Sequence, residues 1–139
     1  MLRVIRHRHV VNCVEAAEAR GIPLERELKT LVLRTGYTLV AVHLCAHQRL
    51  RIRSVKKILR RDNFSFVEPA VLAGYGLRPG TINPWNTGFC PYHLVCLDAL
   101  RNEVMATNNS NLCEGLFFET HHLLGLPNSI MGRFGHEQD

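Results

Sequence analysis

The sequence predicts an α+β fold in a single domain, on three observations. Short apolar, β-branched runs recur along the chain and alternate with short helical segments. At 139 residues, with 46% hydrophobic and 21% charged residues, the chain is long enough for one genuine core and has the composition of an ordinary globular domain. No internal repeat, low-complexity segment or long linker divides it. Disordered and multi-domain readings find no support in these features.

The first helix is expected over residues 12–20. Asn12 stands as the N-cap, Glu15 follows in a capping-box arrangement, and Gly21 provides the stop. Leu28 to Arg34 and Tyr37 to Leu44 are apolar and β-branched, and with Thr35-Gly36 between them they read as a hairpin. Alternation places Lys29 on one face with Leu31 and Leu33, so it points toward an apolar side of the sheet unless the strand lies at an edge, where it would snorkel to water. A lysine there loses hydration and requires an anionic or hydrogen-bonding partner. A second helix is expected from Ser54, with Val55, Ile58 and Leu59 as its buried stripe and Lys56, Lys57, Arg60 and Arg61 outside it. Glu68 to Ala73 forms a third short helix, and residues 74–86, rich in glycine and proline, form a loop rigid enough to hold a site. Strand-like runs return at 93–98, 104–106 and 116–119, and 121–124 opens a helical turn. Residues 1–125 are thus read as the domain and 126–139 as a loose C-terminal tail.

The net charge of +5 is unevenly placed. Arg49, Arg51, Arg53, Lys56, Lys57, Arg60 and Arg61 give residues 49–61 a charge of +7 with no acid among them. A concentrated positive patch on a nearly neutral body suits a phosphate-backbone partner; a solvated helix face is the plainer alternative. No apolar stretch approaches the ~18 residues that span a bilayer, and the N-terminus lacks a signal-peptide core, so no membrane partner and a cytoplasmic location are expected. Five cysteines, without a C-x-x-C pair, argue for reduced thiols. Cys90 and Cys96 with His93 between them fit no familiar zinc spacing, and nothing completes a set around His7-x-His9 or His43-x3-His47, so neither metal nor other cofactor is expected. There is no Gly-x-Ser-x-Gly elbow and no recognisable cysteine nucleophile, which leaves covalent catalysis unsupported.

Two separated stretches, Leu28-Lys29-Thr30-Leu31-Val32-Leu33 and Gly80-Thr81-Ile82-Asn83-Pro84, resemble in wording and order the YbaK and prolyl-tRNA synthetase-associated editing domains, which hydrolyse wrongly charged aminoacyl-tRNA. The resemblance runs from about His9 to Leu124. It implies a curved, mixed β-sheet flanked by short helices, with the substrate pocket against the sheet. It also implies that an N-terminal helix of relatives is missing, and that a first strand holds His7 and His9. Lys29 matches the lysine of the family's Lys-Thr-Leu pattern and Gly80 opens its loop, so these two carry the catalytic expectation. His9, Thr81, Pro84 and Asn108 are the corresponding candidates for substrate binding. Asp98 matches an acidic residue that ends a strand and is read as structural. The segment Thr107-Asn108-Asn109-Ser110 departs from relatives that have glycine or histidine there.

The implied chemistry is hydrolysis of the ester joining a small amino acid, alanine, serine, cysteine or proline, to the terminal ribose of tRNA. The seven basic residues of 49–61 would bind the tRNA, and an aminoacyl-tRNA synthetase is a further expected partner. The rival reading is a non-catalytic tRNA- or synthetase-binding module of the same fold. A generic RNA-binding domain would need base-stacking aromatics near the patch, and Phe64 and Phe66 are both assigned to the core instead.

Overall fold

The computed structural model describes residues 2–137. The chain opens with β1 (Arg3–Arg6), which ends before His7 and His9, so neither histidine lies in a strand as expected. Helix α1 (Cys13–Arg20) follows the sequence reading: the Asn12 side chain accepts from the Glu15 N–H at 2.9 Å, and Gly21 closes the helix at a φ of 71°. The hairpin also forms, as β2 (Leu28–Thr35) and β3 (Thr38–Cys45) in antiparallel register, with Gly36 and the exposed Tyr37 in the turn.

Strand β4 (Gln48–Leu50) leads into α2 (Ile52–Leu59), which starts two residues before Ser54. Val55 is fully buried and Leu59 packs with it, whereas Ile58 sits at the margin, 37% exposed; Ile52 takes the place assigned to it in the stripe. After β5 (Ser65–Phe66), α3 (Pro69–Gly74) begins one residue later than read. Then come β6 (Tyr92–Cys96), a 3₁₀ turn over Leu97–Arg101, β7 (Val104–Asn108) and β8 (Glu114–Glu119). A second 3₁₀ segment, Thr120–Gly125, precedes β9 (Ser129–Gly132) and β10 (Gly135–Glu137).

The strands form a five-stranded sheet in the order β5-β2-β3-β6-β9, a three-stranded sheet β1-β8-β7 and the pair β10-β4. The larger sheet is mixed, because β6 runs parallel to both β3 and β9. Leu28, Cys45 and Val95 from this sheet pack with Met105 and Phe118 from the smaller one, which ties the two together. Helix α2 covers Leu33, Val42, Leu44 and Leu94, and α3 with the following loop covers Val32 and Ala41.

Residues 126–137 are not the loose tail that the sequence suggested. Strand β9 completes one edge of the mixed sheet, β10 pairs with β4, and Phe134 between them is fully buried against Val55 and Leu44. Burying a side chain of that size contributes roughly 2–3 kcal/mol, enough to hold two strands too short to form alone. No helix among the described residues is long and apolar enough to cross a membrane.

Candidate active-site cavity

A cavity of about 360 Å³ lies between α1, the β2 strand, α3 and the loop that follows it. Its wall is mainly apolar, from Val10, Ala16, Leu28, Val32, Val67, Leu72, Ile82 and Leu112. Into this wall the fold sets a small number of polar residues: Asn12, Cys13, Arg20, Glu27, Lys29, Thr30 and Asn108.

Lys29 is half-buried, and its ammonium donates to the Gln48 carbonyl, with the Ala46 carbonyl 3.5 Å away. The hydrogen-bonding partner that burial demands is thus the main chain of β4 and the turn before it. Burial still lowers the ammonium's pKa from its ordinary value. Gln48 is fixed in turn: its amide donates to Asp98 Oδ2 at 2.8 Å, and the Cys96 thiol donates to its Oε1 at 3.1 Å. Asp98, also within 3.4 Å of Arg101 and Arg133, therefore supports the carbonyl that holds Lys29.

The loop is stiffened by three asparagines. Asn83 Oδ1 accepts from the Trp85 and Asn86 N–H groups, and its amide donates to the Asn108 carbonyl at 3.1 Å. Asn86 donates to the Thr81 carbonyl at 2.7 Å, and Asn108 donates to the Ile82 carbonyl at 2.7 Å. Gly80 has a φ of 87°, a left-handed conformation that favours glycine, and a Cβ there would also press to 2.7 Å from a Leu112 methyl. The N–H groups of Thr81 and Asn83 are taken up within the loop. Those of Gly80 and Ile82, both in the cavity wall, make none of the internal hydrogen bonds among the described residues.

The sequence candidates separate at this point. Lys29, Gly80 and Asn108 come together in the wall. His9 is exposed and outside it, because β1 ends before it. Thr81 is buried away from the cavity, its hydroxyl closing a turn with Arg78, and Pro84 is buried in the loop without lining the cavity. Phe64 packs under α2, but Phe66 is 60% exposed and lines the cavity, contrary to its core assignment. Of the seven basic residues, six are exposed and Lys56 is half-buried; among the described residues none of them forms an ion pair.

Sequence reasoning missed two buried groups. Arg20 donates to Glu27, to His7 Nε2 at 3.2 Å and to the Glu114 carbonyl at 3.2 Å. Burial works against both charges, lowering the Arg20 pKa and pushing the Glu27 carboxyl up to about 8 against the pull of its partner. The charge of Glu27 beside an apolar strand was the available signal. Second, Thr30 Oγ1 lies 2.9 Å from His43 Nδ1, and His43 Nε2 lies 3.1 Å from His93 Nδ1. Burial, with His93 adding to it, pulls the His43 pKa down to about 3, so the ring is neutral at physiological pH. His93 is thereby occupied with His43 and Cys96 with Gln48, not with each other. Among the described residues the one grouping with metal-ligand spacing is Glu119, His121 and His122, whose ligand atoms lie within 4.8 Å; none of them lines the cavity.

Residues 7–99 match the family model of the aminoacyl-tRNA editing domain, more than half of the chain. No curated protein matches. Among solved structures, the fold is similar to a protein described as a candidate trans-editing enzyme for prolyl-tRNA synthetase, with a TM-score of 0.86 at 15% identity, covering 96% of this chain and 86% of that one. It is also similar to the hypothetical protein APE2540, with a TM-score of 0.84 at 18% identity over 96% of this chain and 91% of that one. A scaffold from computational epitope grafting aligns with a TM-score of 0.85 at 15% identity, over 98% of this chain and 87% of that one. At these identities the likeness is one of fold.

Proposed function

This chain belongs to the aminoacyl-tRNA editing domain family, and from that premise we propose that it is a trans-editing deacylase that hydrolyses the ester of a mischarged tRNA carrying alanine, serine, cysteine or proline. The observation that carries the proposal is the convergence of Lys29, Gly80 and Asn108 on one small apolar cavity. An aminoacyl ester is already reactive, so the site has to position water and stabilise the oxyanion that forms as water adds to the carbonyl. The free N–H groups of Gly80 and Ile82 are the donors for that oxyanion. Lys29 anchors the substrate by charge and hydrogen bonding, and its tether to the Gln48 carbonyl sets its position. At about 360 Å³ the cavity is near the lower end of ligand pockets, and sharing it with the terminal ribose leaves room only for a small side chain.

Editing has a physical motive, since a synthetase pocket gains only about 1–3 kcal/mol per methylene and cannot fully reject a similar amino acid. The exposed cations of residues 49–61 supply the affinity for tRNA phosphates, and a synthetase is the further partner. The test is deacylation by the purified protein of tRNAs charged with alanine, serine, cysteine and proline, beside Lys29→Ala. Hydrolysis of one ester that disappears in the variant supports the proposal and names the substrate. No hydrolysis of any, with tRNA still bound, replaces it with a binding module.

A further inference from the structure

Phe66 is the one aromatic residue in the cavity wall, and it stands in water. It is 60% exposed, although a phenyl ring gains most from being buried. Its neighbours along β5 are not left out in this way: Val67 is buried in the wall, and Phe64 packs under α2. Among the described residues no other ring stacks on Phe66 and no cation lies over it. The other exposed aromatic side chains stand elsewhere. Tyr75 is stacked on Phe89, Trp85 is edge-on to Phe118, and Tyr37 and Tyr92 lie outside the wall. The exposed residues of the wall, Val11, Asn12, Phe66, Pro79 and Gly80, mark its mouth, so an open ring is part of the entrance.

The strand register fixes which way this ring stands. Phe66 lies opposite Leu33 in the β2–β5 pair, so the two side chains share a face of the sheet. Leu33 packs with Val55 of α2, and that face is therefore the one that carries the basic helix. The basic run starts at Arg49, next to the Gln48 carbonyl that holds Lys29, and ends at Arg61, shortly before Phe66. Phe66 thus belongs to both regions: it lines the cavity and stands on the face that α2 covers. A nucleotide with its ester in the cavity and its phosphate on those cations has its base between them, and an open aromatic ring stacks on any base. On the deacylase reading above, on which this inference rests for its ligand, that nucleotide is the terminal one of tRNA. We propose that Phe66 is the stacking platform for this terminal base and reads its face, not its edge, so that binding requires a base there but no particular one.

The experiment measures binding of an uncharged acceptor-stem RNA, complete or with an abasic 3′-terminal nucleotide, by fluorescence anisotropy at low salt. The wild-type protein is expected to bind the abasic RNA about 10- to 100-fold more weakly, the worth of one stacked base. Phe66→Ala is expected to bind the complete RNA that weakly too, with no further loss on the abasic one, whereas Phe66→Trp keeps the wild-type pattern. Exchanging the terminal adenine for another base should cost less than about 3-fold. Equal wild-type affinity for the complete and abasic RNAs overturns the inference. So does a Phe66→Ala variant that weakens both RNAs alike, which assigns Phe66 to the shape of the mouth, or one that weakens neither. If Phe66→Ala melts below the assay temperature, Phe66→Leu, which keeps apolar bulk without a ring face, makes the same comparison. Failure of the deacylase reading looks different: charged tRNA is not hydrolysed, whatever the affinity for the uncharged RNA.

Discussion

The cavity wall and the basic face of α2 both present positive charge, and they use it in opposite ways. In the wall, Arg20 is buried and Lys29 half-buried, and each is held by named partners. On the segment that runs through α2, the cations stand in water, and none forms an ion pair among the described residues. The two regions are adjacent in the chain, since the Gln48 carbonyl that fixes Lys29 directly precedes Arg49, the first residue of the basic run. Burial makes a charge specific, because losing its partner leaves a desolvated ion; exposure makes a charge replaceable and subject to salt.

The largest expected effect is therefore in the wall. Arg20→Ala removes the buried donor to the Glu27 carboxyl, to His7 and to the Glu114 carbonyl, and should destabilise the fold by about 3 kcal/mol, read from urea unfolding. A loss below 1 kcal/mol would show the wall to be as tolerant as the surface. Lys29→Ala should lower kcat/KM for the edited ester about 100-fold, equivalent to about 3 kcal/mol, with the melting temperature nearly unchanged. If melting falls steeply instead, Lys29 belongs with Arg20 as a structural charge. Gly80→Ala meets both a left-handed backbone and Leu112, so a loss of about 1–3 kcal/mol in thermal unfolding is expected.

A pH series sharpens the same contrast. The unfolded chain protonates His43 near 6.5, whereas the folded chain holds it neutral until about 3, so the unfolded state binds more protons between those values. Stability should fall as pH drops through that window. Glu27 runs the other way, because its folded carboxyl keeps its proton from about 4.5 up to about 8 and loses stability as pH rises there. Comparing His43→Gln with the wild-type protein cancels the Glu27 contribution, and the variant should show a shallower acid loss. The smallest effect belongs to the basic face: Arg53→Ala or Lys57→Ala should leave stability within about 0.5 kcal/mol and reduce the salt slope of tRNA binding by about 1. A salt slope that does not move would remove that residue from the RNA surface.

Local chemistry was readable where it acts over a few residues. The Asn12 cap, the Gly21 stop and the β2–β3 hairpin all depend on neighbours in sequence, and all appear where their residue types place them. The partner of Lys29 was foreseen as a need and not as an identity, because the carbonyls that meet it come from β4 and the turn before it. Thr81 and Pro84 were grouped with Gly80 by adjacency, yet a loop this tight turns successive residues in different directions, and of residues 80–84 only Gly80 and Ile82 line the wall. Phe66 was misplaced because an aromatic residue beside a strand resembles core until its neighbours are known.

The sequence by itself determined the α+β class, the helix caps, the hairpin, the single basic run and the two stretches that mark the family. Tertiary structure alone decided that Phe134 anchors residues 129–137 and that Arg20 and Glu27 meet beneath the Glu114–Gly115 backbone. The reason is physical: caps and turns are set by hydrogen bonds within a few residues, whereas the partner of a buried charge is set by which distant segments the packed core brings within hydrogen-bond reach.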